Sequence, residues 1–74
     1  MKSRTTVERI GEALRRRRES LGVSQEAFAD QIGMHRTYYS ALERGESNLT
    51  IRTLERVCQG LTVRMWEVLK DAEI

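Results

Sequence analysis

The stretch SQEAFADQIGMHRTYYSALE, Ser24 to Glu43, carries polar side chains of the kinds that recognise nucleic acid bases. Arg36, Thr37, Ser40 and Ala41 fall on one side of a helical repeat, with Arg44 a turn beyond. A guanidinium bonds guanine O6 and N7 together. Thr reaches a base edge or a thymine methyl, and Ser bonds a base or a phosphate. Small side chains at Ser40 and Ala41 allow a backbone to approach a groove floor closely. The plainer alternative is a short polar surface helix. Against it stands the preceding stretch, which reads as a second short helix joined by a turn of a few residues. Ala29 leaves little bulk at the contact between the two, Gly33 suits the turn, and Met34 follows as an apolar plug. Ile32, Tyr39 and Leu42 complete a miniature core.

Other residues with chemical potential point elsewhere. His35 is the single His, and no Cys or acidic pair stands at ligand spacing, so no metal or cofactor is expected. Cys58 lies on an apolar stripe, where a small buried hydrophobe is the ordinary explanation. Arg15 to Arg18 span more than one helical turn, so they cannot all face one ligand; for Arg15, Arg16 and Arg17 a solvated surface is the simpler reading. No nucleophile–base set is visible, and an enzyme is not expected.

These side chains need a frame, and the chain is short. Its 74 residues are 39% hydrophobic and 32% charged, with five Gly and no Pro, a balance fit for one folded domain over residues 1–74. A chain this size buries only about 60% of its unfolded surface, so self-association is the expected way to add buried area. The net charge of +2 is uneven. Lys2, Arg4, Arg9 and Arg15 to Arg18 outnumber Glu8, Glu12 and Glu19 in residues 1–22, whereas acids predominate afterwards; the asymmetry hints at a polyanion on one side. One Cys, no signal-like apolar segment and no membrane-length apolar run lead to a cytoplasmic expectation, with no membrane partner.

Apolar periodicity predicts five helices and no strand, at about 7–21, 24–32, 35–44, 51–60 and 64–72. Val7, Ile10, Leu14 and Leu21 mark the first face, after a Thr5 or Thr6 cap and before Gly22. Ser24 caps the second helix, with Glu26 favouring its dipole; Gly33 and Gly45 end the second and third. Thr50 caps the fourth, where Leu54, Val57, Cys58 and Leu61 form one stripe. The fifth, with Met65, Trp66, Val68 and Leu69, has more apolar surface than a domain this small needs to cover. Val63, Met65, Trp66 and Leu69 are therefore the expected contacts with a second copy.

The set Leu14, Arg18, Gly22, Ser24-Gln25, Ala29, Gly33, Arg36-Thr37-Tyr38, Leu42-Glu43-Arg44-Gly45 and Asn48-Leu49-Thr50-Ile51 resembles the Cro/CI-like, or xenobiotic-response-element, family of helix-turn-helix regulators. Within it the chain is most similar to the small controller proteins of restriction–modification systems. The resemblance implies a compact five-helix, all-α, lambda-repressor-like domain with the helix-turn-helix at helices 2 and 3. It implies that Arg36 and Thr37 read bases and that Gln25 bonds a phosphate. Tyr38, Asn48 and Arg52 would contact the backbone, as would Arg44. Arg18 and Glu43 would form an ion pair joining the first helix to the third. His35 stands where the family usually carries Ser, Thr or Asp, so it is expected to face a phosphate. Glu46-Ser47 replaces a loop that is often basic in controllers.

The expected function is sequence-specific transcription regulation by a homodimer on a pseudo-palindromic operator in double-stranded DNA. Its recognition helices would lie about 34 Å, or 10 base pairs, apart. The targets would be restriction–modification genes and the chain's own gene. Two dimers on adjacent sites and contact with RNA polymerase belong to this expectation; a small-molecule ligand does not. The rival reading is an antitoxin-type protein-interaction module on the same fold, and the lack of a tail beyond Ile74 counts against it.

Overall fold

The computed structural model describes residues 5–46 and 48–74, so Lys2 and Arg4 of the charge count and Ser47 of the loop lie outside the described residues. Five helices follow one another: α1 (Thr6–Ser20), α2 (Gln25–Gln31), α3 (Arg36–Arg44), α4 (Ile51–Leu61) and α5 (Met65–Asp71). The expected all-α architecture is what forms, with no strand among the described residues.

Local chemistry sets the helix ends. Thr5 and Glu8 close a capping box on α1, the Glu8 amide donating to Thr5 Oγ1 (3.1 Å) and the Thr5 amide to Glu8 Oε1 (2.8 Å). Ser24 Oγ accepts from the Ala27 amide, and Thr50 Oγ1 accepts from the Thr53 amide. His35 caps α3 through Nδ1, which accepts from the Thr37 amide at 3.2 Å. Gly45 closes α3 at φ +71°, and a Cβ there would lie 2.6 Å from Glu8 Cα, so both conformation and space require glycine.

One boundary differs from expectation in an instructive way. Helix α4 runs through Gly60 and stops at Thr62, which itself adopts the left-handed conformation at φ 61°. Gly60 is a contact residue: a Cβ there would overlap Ile32 Cγ2 and come 3.0 Å from Phe28 Cζ. The starts of α2, α3 and α5 each move by one residue, because the expected first residues Ser24, His35 and Arg64 serve as caps with extended backbones.

The core gathers Leu14 from α1, Phe28 from α2, Tyr39 and Leu42 from α3, Val57 from α4 and Val68 from α5. Phe28 and Tyr39 rings meet at 5.2 Å and 58°, a tilted aromatic contact joining α2 to α3. Ile32 and Met34 of the turn pack partly against this core.

A tight crossing also occurs where no signal was read. Gly11, mid-α1, faces the α3 main chain so closely that a Cβ would overlap Leu42 O and lie 2.6 Å from Glu43 O. Gly11→Ala gains about 1 kcal/mol of helix propensity but loses about 1–3 kcal/mol or more to overpacking against backbone that cannot rotate away. We expect a net loss, seen as a lower Tm by circular dichroism. An unchanged Tm would mean that α1 and α3 separate without penalty.

Candidate nucleic-acid interface

Helix α3 is held by its inner face and offers its first turn to solvent. Tyr39, Leu42 and Glu43 are buried, whereas Arg36, Thr37 and Tyr38 are exposed beside the exposed cap His35. Ser40 and Ala41 are half-buried, so they form the floor of the exposed strip rather than its crest. Asn48 and Arg52 are exposed in the loop and first turn of α4.

Several of these side chains have partners that spacing did not announce. Arg36 Nη1 lies 3.0 Å from Glu26 Oε2 across the α2–α3 crossing, with both side chains mostly exposed. An exposed pair contributes about 0–1 kcal/mol, so it steadies Arg36 yet yields readily to a stronger partner. Sequence reading placed Glu26 only in the helix dipole; the ten-residue separation corresponds to no helical repeat. Arg44 donates to Ser40 Oγ and pairs with Glu46 at 3.0 Å. The acidic loop residue is thus neutralised by the basic residue beside it.

Beneath the strip lies a buried polar knot. Arg18 Nε and Nη2 donate to Glu43 Oε2 and Oε1 at 2.7 and 3.1 Å, while its Nη1 donates to Val23 O at 2.6 Å. The two residues are 7% and 6% exposed. Gln25 Nε2 donates to Glu43 Oε1 at 2.7 Å, which engages one of the two protons that its side-chain amide can give. Burial alone would raise the Glu43 carboxyl, but the Arg18 guanidinium, aided by Gln25, holds it below the usual carboxylate range. The same carboxylate holds the Arg18 guanidinium all the more firmly charged. Tyr39 Oη, buried nearby, lacks a hydrogen-bond partner among the described residues; burial and the Glu43 charge push its ionisation far up.

The arginine run is occupied throughout. Arg15 pairs with Glu19 and Arg16 with Glu12, one turn apart on α1. Arg17 bonds Asp71 at 2.7 Å and so ties α1 to α5. Arg18 belongs to the knot, so the positive excess of α1 is largely met within the fold. Cys58 is buried, and its thiol is raised by burial and by the Glu67 charge. Among the described residues no cluster of His, Cys, Asp or Glu is placed to hold a metal, and no helix is long and apolar enough to cross a membrane.

Of the residues expected to meet a second copy, Val63, Met65 and Leu69 pack partly against the chain's own core. Trp66 is 63% exposed.

Comparison with known proteins agrees with this geometry. The helix-turn-helix family model matches residues 14–65. Control protein C.MunI of Mycoplasma sp is 41% identical over 66 residues, spanning 88% of this chain and 89% of the relative. The crystal structure of the clp gene regulator ClgR from C. glutamicum superposes with a TM-score of 0.92 at 30% identity, over 97% of this chain and 92% of that one. The restriction–modification controller C.Esp1396I, solved as a tetramer with its natural 35-base-pair operator, superposes with a TM-score of 0.83 at 30% identity, over 97% of this chain and all of that one. The chain belongs to the helix-turn-helix family, the family of DNA-binding regulators that includes the restriction–modification controller proteins.

Proposed function

We propose that the chain is a transcription regulator of restriction–modification genes, its own included, acting from the cytoplasm as a homodimer on a pseudo-palindromic operator. The observation that carries this is the exposed pair Arg36–Thr37 on the first turn of a helix whose other face is buried, in a chain so similar to controller proteins. In the complex Arg36 leaves Glu26 for a bidentate guanine contact, and Thr37 meets the neighbouring base. Half-buried Ser40 and Ala41 let the helix axis approach the groove floor. His35, Tyr38, Arg44, Asn48 and Arg52 meet phosphates on either side. Gln25 contributes the amide proton that Glu43 does not take. Residues 1–74 act as a single domain.

Val63, Met65, Trp66 and Leu69 join two copies so that two α3 helices enter successive major grooves, about 34 Å apart. The tetrameric relative on its 35-base-pair operator supports two dimers on adjacent sites. RNA polymerase is the partner through which such a complex would activate.

Arg36→Ala tests the reading on a duplex that the wild-type chain selects from a randomised pool. We expect affinity for that duplex to fall by about 1–3 kcal/mol, with relaxed preference at one base position and little change on a scrambled duplex. Wild-type discrimination by the variant would remove Arg36 from the role assigned to it.

A further inference from the structure

The turn between α2 and α3 is closed from outside by a residue of α4. Within the turn the Gly33 amide donates to Asp30 O at 3.1 Å and the Met34 amide to Ala29 O at 2.8 Å. The carbonyls of Ile32 and Gly33 face away from these bonds. Arg56 takes both: its Nε donates to Ile32 O at 3.0 Å and its Nη2 to Gly33 O at 2.8 Å. Carbonyls at a helix C-terminus carry partial negative charge, so a guanidinium is suited to them in charge as well as geometry.

The same face of α4 grips the turn a second time. Gly60, one helical turn after Arg56, lets Ile32 approach without a Cβ between them. Gly33 adopts φ +69°, and a Cβ there would lie 3.0 Å from Arg56 Nη2. The glycine thus holds the left-handed turn and leaves the guanidinium room to lie across it.

We infer that Arg56 is a positioning residue: by bonding the carbonyls of Ile32 and Gly33 it fixes the turn and thereby the pose in which α3 presents Arg36 and Thr37 to DNA. This rests on the DNA-reading role proposed above. Arg56 joins the reading unit to α4, and through α4 to the end of the chain that carries Trp66. Arg56 itself is exposed, yet two of its nitrogens are committed to the turn before any phosphate arrives.

The test compares wild type with Arg56→Met, which keeps the stem and loses the donors, and Arg56→Lys, which keeps the charge and one point of attachment. Two quantities are read: amide exchange of Gly33 and Met34 in the unbound protein, and affinity for the pool-selected and scrambled duplexes across a salt series. For Arg56→Met we expect faster exchange at the turn but not in α1. We also expect affinity for the selected duplex to fall about tenfold or more, as loss of a well-seated base contact does. Scrambled-duplex affinity and the salt slope should stay at wild-type values, and Arg56→Lys should fall between. Equal losses on both duplexes, with the slope smaller in magnitude by about 0.9, would make Arg56 a phosphate contact and overturn the inference. Faster exchange with unchanged selectivity would also overturn it, leaving Arg56 a purely structural tie. If the wild type selects no duplex, the DNA reading fails by itself, and unchanged exchange at Gly33 and Met34 would still refute the clamp.

Discussion

Glu43→Ala is expected to destabilise the fold by about 3–5 kcal/mol, because it strands the Arg18 charge in the core without its counter-ion. Arg18 is 7% exposed and meets Glu43 through two of its nitrogens. Removing the carboxylate leaves Arg18 with only the Val23 carbonyl and deprives Gln25 of its acceptor. In a chain this small each kcal/mol moves Tm by about 4–8 °C, so a drop of at least about 12 °C is expected by circular dichroism. Replacing the pair together, as Arg18→Met with Glu43→Leu, should recover most of that loss, since a buried ion pair and a well-packed apolar pair are nearly equivalent. A single-variant loss below about 1 kcal/mol would contradict this account, because it is the value of a surface pair.

The knot also gives the wild type a pH signature. The native Glu43 carboxyl lies below its ordinary value of 4.5. The folded state therefore binds this proton less readily than the unfolded chain. Its contribution is fully present above that ordinary value and is lost as pH falls from there through the lowered native one. Urea midpoints measured downward from pH 6 should show this acid-side decline in wild type and a shallower one in the double variant.

Much of the architecture was legible because local chemistry announces helix ends. Ser24 and Thr50 are efficient caps, and Gly22, Gly33 and Gly45 take left-handed conformations where helices stop. The i, i+4 pairs Arg16–Glu12 and Arg15–Glu19 lie at a helical spacing and keep those side chains on the surface, as expected of that part of the arginine run. What stayed hidden joins elements distant in the chain. Arg17–Asp71 spans 54 residues, Arg56 reaches back 24 residues to Ile32, and Glu26 meets Arg36 across a crossing whose angle no periodicity encodes. Gly11 was silent for a related reason. A glycine inside a run of good helix formers looks neutral until the partner backbone is in place. Gln25 adds a contact that the resemblance did not assign, since its amide donates to the Glu43 carboxylate eighteen residues on.

Trp66→Glu should have the largest effect on DNA binding while sparing the fold. Trp66 is 63% exposed, so the monomer loses little packing when it changes. Its neighbours Met65 and Leu69 are already partly committed to the chain's own core, which leaves the indole as the exposed large apolar side chain of α5. Burying a large aromatic on each side of a twofold axis favours association, and a carboxylate there would face its own symmetry mate and oppose it. Without the dimer, the second recognition helix no longer arrives at the effective concentration set by the first. Affinity for a two-half-site duplex should then fall about 100- to 10,000-fold, whereas affinity for a single half-site should hardly move. Light scattering should place the variant at the 8.6 kDa chain mass and the wild type at twice that value at equal concentration. A variant that stayed dimeric, or bound both duplexes as the wild type does, would move the association surface elsewhere. The contrast between the duplexes matters most, because a variant that merely unfolded would lose both.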